Sequence, residues 1–343
     1  MKIFIKIISA VACAGIIAVA IFLYWGQLSS QHEAFIGGSC NDQGQSPSSL
    51  KIVSYNIGFG NGLESERVGI KNIEEIKQNL DGIANFLKGT DIALLQEVDL
   101  ASRRTYYIDE AAMVAEHAGF ACYACVTNWV KNFVPYPYWP ISDQYGKMKS
   151  GQCILSRYPI INNIRVPLPQ RTDKPFWYTA FYFDRAAQMA EVLVGDRRIS
   201  VVNNHLEPFD IGNREEQGRE LSKLIKGLPG ESLIVGGDFN ALPPDASIKK
   251  NFADKPENYW KEWGDVSSDE TMKRFFMANP NLNEVMDDVA NENETFTFPA
   301  DNPNRRVDYL FFSKDLAKKE GKVVPSAGPI SDHLPVYLEL SLH

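Results

Sequence analysis

Residues 232–243 read SLIVGGDFNALP. The first six form a short apolar, β-rich run, and the next six turn polar at Asp238 and Asn240 before a proline closes the stretch. A buried strand that ends by presenting a carboxylate and an amide is the unit from which this fold is built. Taken alone, GDFN reads equally well as a turn, with Gly237 and Asn240 present for backbone shape. Recurrence decides the matter. The same change from buried run to polar residues occurs at Asn56 in SYN, Glu97 in LLQEVD, His205 in NNHLEP, Asp308 in VDYLFFS, and Asp332 and His333 in SDHLP. Rigid strand ends aim side chains into a common cleft, so six separated stretches in this pattern point to one site.

The elements between the motifs set the fold class. LKIVSYNI at 50–57, DIALLQ at 91–96, QCILS at 152–156, FWYTAFYF at 176–183, EVLV at 191–194, RISVVNN at 198–204, RVDYLFF at 306–312 and PVYLELSL at 335–342 read as strands. Ile73, Ile76, Leu80, Ile83, Ala84 and Leu87 recur at the three-four spacing of one buried helical stripe, which Gly89 stops. A weaker helix is expected from Glu110 to His117, and another to Lys226, capped by Asn213 with Glu216 three residues on. Strands outnumber helices, and the helices bury one stripe only. The expected class is α/β (α+β), with two mixed sheets packed face to face and helices on the outer faces. Residues 50–343 form one catalytic domain, and the polar stretch 26–49 reads as a flexible tether.

At 343 residues, 44% apolar, with 35 basic against 43 acidic residues, the chain is neither disordered nor collagen-like nor a polytopic membrane protein. Its net charge of −8 lacks the footprint of a tight duplex binder, whose affinity comes from Lys and Arg on phosphates. Lys2 and Lys6 precede Ile7 to Trp25, nineteen residues without a charge. As a helix these span about 28 Å, one bilayer core, and they end in the interfacial pair Tyr24 and Trp25. Residues 1–25 therefore read as an uncleaved signal anchor. No Lys or Arg follows until Lys51, so the N-terminus stays cytoplasmic and the body is exported, or secreted if the leader is cleaved. Outside the anchor, which holds Cys13, stand Cys40, Cys122, Cys125 and Cys153. Disulfides are permitted in an exported chain, in three connectivities. In an extended ACYACV, Cys122 and Cys125 point to opposite faces and do not bond to each other.

Carboxylate and amide oxygens suit a hard cation, Mg²⁺ with Mn²⁺ as substitute, and such a site is usually completed by water and substrate phosphate. The chemistry expected is hydrolysis of a phosphoester, with imidazoles and amides stabilising the phosphoryl oxygens. Asn203 shares the face of His205 on an extended segment and is a candidate phosphate contact, its bland reading being a strand amide. Arg103, with Arg104, is a candidate contact for a second phosphate, its bland reading being a solvated charge. Between Trp129 and Lys149, Pro135, Pro137 and Pro140 alternate with Tyr136, Tyr138 and Trp139. That spacing forbids a helix and fits either an aromatic lip or a loop packed on its own domain.

Together these motifs resemble the metal-dependent endonuclease/exonuclease/phosphatase superfamily, in its motif order, over about Leu50 to Leu342. The resemblance implies a four-layer sandwich. It implies Glu97 as principal metal ligand assisted by Asn56, and Asp238 and Asn240 as the pair that activates water and orients the phosphate. Asp308 matches the aspartate of the R-x-D-Y/F strand, while His205 and the Asp332–His333 dyad match phosphate-stabilising imidazoles. Asp332 is expected to stabilise an imidazolium at its neighbour; either Asp238 or His333 then serves as general base. An anchored, acidic, exported enzyme is better placed for a lipid head group or other envelope phosphodiester than for nucleic acid, the runner-up substrate. A catalytically silent binding protein on the same fold is the third reading. No obligate protein partner is implied; the membrane is met through residues 7–25.

Overall fold

The computed structural model describes residues 2–28, 31–40, 47–63, 72–228, 232–252 and 265–342. Two mixed sheets face each other. The first has seven strands in the order β1-β4-β5-β3-β2-β13-β12. These are β1 (Ala34–Gly38), β2 (Ser49–Asn56), β3 (Ile92–Asp99), β4 (Cys122–Val134), β5 (Gly146–Ser156), β12 (Ala317–Val323) and β13 (Val336–Ser341). The second has six, in the order β10-β11-β9-β8-β7-β6. Its strands are β6 (Ile160–Pro167), β7 (Ala186–Val194), β8 (Arg197–His205), β9 (Leu233–Asp238), β10 (Leu282–Glu284) and β11 (Asp308–Ser313).

Alternation along the strands builds the layers. Leu50, Ile52, Ile92, Leu94, Ile199, Val201, Ile234, Leu310 and Phe312 point inward and form the core between the sheets. The opposite faces of β2 and β3, through Val53, Tyr55, Ala93 and Leu95, pack against α2 (Ile73–Leu87) and α3 (Glu110–Ala118). On the other side Val202, Val235, Tyr309 and Phe311 pack against α5 (Ile211–Lys226) and α6 (Thr271–Ala278). The result is the expected four-layer sandwich.

Several local expectations change. FWYTAFYF is not a strand: Pro175 caps a single helical turn, α4 (Phe176–Thr179), followed by bends. The helix after residue 210 is capped by the Asp210 side chain, which accepts from Asn213 N–H, so Asn213 lies inside the first turn. The stretch 26–49 read as a tether begins inside the last turn of α1 (Lys2–Gln27) and holds β1, which pairs antiparallel with β4. Positions 29–30 and 41–46 of that stretch lie outside the described residues. Cys40 bonds to Cys122 and Cys125 to Cys153, so the two cysteines of ACYACV do take different partners. The proline-rich loop is confined to 135–145, and its flanks are strands β4 and β5.

Candidate active site

Register assembles the site. In the six-stranded sheet His205 pairs with Asp238 across the parallel β8–β9 ladder, and Asp238 pairs with Asp308 across β9–β11. These three residues thus form a row at the strand ends, all on the face turned to the other sheet. Asn56 and Glu97 come from β2 and β3 opposite.

Glu97 reaches the cleft through a bulge. Plain alternation would send it into the helix layer with Ala93 and Leu95. The β3–β5 register shifts between Leu95 and Val98, and Glu97 takes φ 53°, which turns its side chain into the cleft while Val98 resumes the helix-facing set. Asn240 and Phe59, at φ 49° and 53°, are strained in the same left-handed region beside the site. Such backbone persists only where surrounding packing over-determines it. At Gly237, φ 137°, a Cβ would overlap the Asn204 carbonyl, so the close approach of β8 and β9 that aligns His205 with Asp238 requires glycine.

Asn56 links the two sheets. Its Nδ2 donates to Asp238 Oδ2 at 3.1 Å and to Glu97 Oε1 at 3.3 Å, and lies 3.4 Å from His333 Nε2. Its Oδ1 accepts from Gly58 N–H at 3.1 Å. His205 Nε2 stands 3.6 Å from Asp238 Oδ2 and 3.8 Å from Glu97 Oε1. Asp238 Oδ1 accepts the Asn240 N–H at 2.8 Å, while the Asn240 amide donates to Leu206 O. His333 is held from the segment before β13: Ser331 Oγ donates to Asn56 O and accepts the His333 N–H.

The histidine's acid partner differs from the expected one. His333 Nδ1 lies 2.8 Å from Asp308 Oδ2, while Asp332, next to it in sequence, lines the cleft and acts on the ring through its charge. Asp308 reaches the ring from the first position of β11, across the cleft from the bend that carries Asp332 and His333.

Burial and charge split the titrations. Burial, then the nearby Asp332, pushes the Glu97 carboxyl up to about 7. Burial and Asp308 push Asp238 up to about 7. Burial alone would lower His333, but Asp308, Asp238 and Asp332 more than offset it, so its pKa rises well above the ordinary value and the ring is an imidazolium. His205 goes the other way: burial, Arg185 and His333 hold it well below, so it is neutral. The two imidazoles are thus pushed toward opposite protonation states.

Two candidates leave the site. Asn203 is on the same face as His205 but one pair deeper, where its amide donates to Leu95 O and Cys153 O and its oxygen accepts from Gln96. It ties the sheets together and does not line the cleft. Arg103 donates to Gln144 O, away from the cleft. Its neighbour Arg104 turns inward instead, bound by two hydrogen bonds to Asp99 and stacked 3.6 Å over the Phe59 ring.

A cavity of about 620 Å³ opens beside the carboxylates. Glu97, His205, Asp238, Asn240, Asp332 and His333 share its lining with Arg104, Arg185 and a set of aromatic side chains from β4, the 135–145 loop and residues 177–183. The aromatic lip expected between Trp129 and Lys149 supplies part of this wall through Trp129, Tyr136, Tyr138 and Tyr145, whereas Arg185 and the wall from residues 177–183 are not read as a site from the sequence. The signal for that second wall is the aromatic density of FWYTAFYFDR, residues 176–185.

Oxygen donors this dense need positive charge. Glu97, Asp238, Asp308 and Asp332 surround one imidazolium, two of the acids are displaced toward neutrality, and Asp308 Oδ1 is buried with no hydrogen-bond partner among the described residues. A divalent cation of the Mg²⁺ or Mn²⁺ kind fits that deficit. Atoms of Asp238, Asp308 and His333 lie within 4.8 Å of one another, but a His333 that keeps both ring protons has no lone pair for a metal. Glu97, whose carboxylate lines the cleft, could hold such a cation.

A model described as the Endonuclease/Exonuclease/phosphatase family matches residues 53–333. No curated protein matches the chain. Among solved structures it is similar to an endonuclease/exonuclease/phosphatase from Beutenbergia cavernae DSM 12333, with TM-score 0.60 and 19% identity over 86% of this chain and 72% of that one. It is also similar to D. rerio TDP2 complexed with single strand DNA product, with TM-score 0.56 and 15% identity over 86% of this chain and 100% of that one. A third is a mannosyl-6-phosphatase of Bacteroides thetaiotaomicron VPI-5482, with TM-score 0.54 and 15% identity over 85% of this chain and 100% of that one. At these identities the likeness to solved structures concerns the fold. Since the family model runs from within β2 to His333 and so spans the assembled site, the chain belongs to the endonuclease/exonuclease/phosphatase family.

Proposed function

We propose that this chain is a divalent-metal-dependent phosphoester hydrolase acting on the head group of a membrane lipid or a related envelope phosphodiester. The observation that carries the reading is one cleft in which Glu97, Asp238, Asn56, His205 and His333 meet beside an aromatic cavity. Bound Mg²⁺ would polarise a phosphoryl oxygen and offset its charge. Glu97 would hold it together with Asn56, through the amide oxygen that here accepts from Gly58 N–H.

The remaining roles fall to the chain's own groups. The His333 imidazolium, fixed by Asp308, donates to a phosphoryl oxygen through Nε2. Asp238, within reach of both imidazoles, orients water and accepts its proton for in-line attack. Neutral His205 keeps a nitrogen close to the same carboxylate without adding charge. Asn240 fixes the Asp238 carboxylate through its backbone N–H.

Lipid is favoured over nucleic acid by charge. Of the two arginines that line the cavity, Arg104 is hydrogen-bonded to Asp99 at 2.9 Å, and Arg185 is a buried cation 3.7 Å from Glu207 that can meet one phosphate; a single such cation makes no phosphate-tracking groove. The apolar α1 is long enough to cross a bilayer, and two disulfides suit an oxidising compartment, which together support an anchored, exported enzyme. The test is turnover of sphingomyelin, phosphatidylinositol phosphates, and single-stranded and duplex DNA, each with Mg²⁺ and with chelator. Mg²⁺-dependent cleavage of a lipid phosphodiester is expected; turnover of DNA alone would favour the nuclease reading.

A further inference from the structure

The end of α1 does not leave the catalytic body. Asn132 of β4 donates from its side chain to Trp25 O and from its backbone to Leu28 O, and the Phe22 and Phe133 rings meet at 5.0 Å. Gly26 packs against Phe133 and Phe181 closely enough that a Cβ there would lie 2.9 Å from the Phe133 carbonyl. Through this contact Leu23 becomes part of the cavity wall, together with Trp129, Tyr136, Tyr145, Phe181 and Phe183.

Length arithmetic then places the cavity relative to a bilayer. If the last two turns of α1 are committed to β4, Ile3 to Ile21 remain, nineteen residues that span about 28 Å, the thickness of one hydrocarbon core, with Lys6 in the first turn snorkelling back to the far interface. Leu23 lies within about one helical turn of that boundary. A cavity that includes Leu23 therefore opens at the membrane interface. A lip surrounds the same opening: Tyr138 and Trp177 line the cavity, and with their neighbours Trp139, Ile141 and Phe176 they are between 62% and 77% exposed. Large apolar and aromatic side chains so exposed, continuous with a membrane-length helix, suit the wet-apolar boundary of a bilayer.

We propose that this cavity binds the apolar chain of a membrane lipid, which enters sideways from the bilayer beside α1, with the Tyr138–Ile141 and Phe176–Trp177 lip seated in the interface. The proposal rests on the hydrolase reading above, because it is the lipid's phosphodiester that must reach Glu97 and Asp238. The aromatic walls contact the chain, and the acyl region fixes which lipids are substrates. Arg104 is held by Asp99, and Arg185 stands beside the His205 backbone at the polar end of the cavity, so away from that end the aromatic walls offer apolar surface.

The test uses full-length protein in phosphatidylcholine vesicles with Mg²⁺ and two chromogenic diesters, hexadecyl and methyl p-nitrophenyl phosphate. In both, water attacks phosphorus, the phosphorus–aryloxy bond breaks and p-nitrophenolate leaves, so only the chain differs. We expect kcat/KM for the hexadecyl ester to exceed that for the methyl ester by about 100-fold or more, the effect of burying three to four methylenes at about fourfold each. Leu23→Trp, which fills the cavity mouth, should cut that ratio at least tenfold; a ratio is insensitive to losses shared by both substrates. Independently, vesicles of brominated phosphatidylcholine should quench tryptophan fluorescence less in a Trp139→Phe/Trp177→Phe variant than in wild type. Equal rates on the two esters, a ratio unmoved by Leu23→Trp, or unchanged quenching overturns the proposal while the hydrolase reading stands. Failure to hydrolyse either ester sinks that reading and this one with it.

Discussion

His333 Nδ1 sits 2.8 Å from Asp308 Oδ2, a bond between the loop before β13 and the first residue of β11. It makes Asp308, not the adjacent Asp332, the group that fixes the imidazolium. Asp308→Asn should lower kcat by about 10²–10⁴-fold, the range for a lost proton-transfer or donor function, and should exceed the effect of Asp332→Asn by about tenfold or more. An NMR titration should show the His333 pKa falling further in Asp308→Asn than in Asp332→Asn. The reverse order in both measurements would restore the sequence-adjacent dyad.

Cation binding should be linked to protons. Glu97 and Asp238 start from 4.5 and 3.8 and rise to about 7, so the folded protein holds protons that the unfolded chain has released. Their cost to stability accumulates from about pH 4 and is complete above about pH 7. His333, raised well above its ordinary value, acts in the same direction at higher pH, since its stabilisation is lost as pH rises through its folded pKa. His205, held well below, opposes this only below its ordinary 6.5. Bound Mg²⁺ would relieve the carboxylate penalty. Its gain in Tm should therefore be larger at pH 8 than at pH 5, as scanning fluorimetry would record, and Glu97→Gln should shrink it. A Mg²⁺ increment that does not change with pH would argue against Glu97 as a ligand beside Asp238.

Asn203 and His205 should separate cleanly. Asn203→Ala breaks the bonds that join the sheets and should cost about 1–3 kcal/mol in denaturant unfolding, with KM nearly unchanged. His205→Ala should lower kcat with a smaller loss of stability. Equal kinetic defects would return Asn203 to the site.

Gly237→Ala should destabilise the protein by about 3 kcal/mol, because its Cβ would overlap the Asn204 carbonyl in a backbone conformation that side chains rarely adopt. Thermal melts check this. A neutral substitution would mean that β8 and β9 can shift apart without disturbing the row His205–Asp238–Asp308.

What the sequence disclosed was local. Each buried run that ends in a polar residue was legible because period and composition report burial directly, and the site residues on strand ends follow from it. Depth was not legible: Asn203 and His205 share a face, and only the opposite sheet decides that one is sealed against Leu95 O and Cys153 O while the other meets the cleft. Pairing across strands was not legible either, so Asp308 was missed as the partner of His333. FWYTAFYF looked like a strand because strand propensity scores a fit to a half-buried pleated surface; with no neighbouring strand to pair, Pro175 starts a helical turn instead. The cavity, built from β4, a loop, α4 and the end of α1, has no sequence signature beyond aromatic content.

The most direct measurement is the rate of bis-p-nitrophenyl phosphate hydrolysis by full-length protein, with Mg²⁺ and with chelator, for wild type, Glu97→Ala, Asp238→Ala and His333→Ala. We expect turnover that chelator abolishes and that each substitution reduces by at least about 100-fold in folded protein. Metal-independent turnover, or three variants as fast as wild type, would contradict the assignment of this cleft as the catalytic centre.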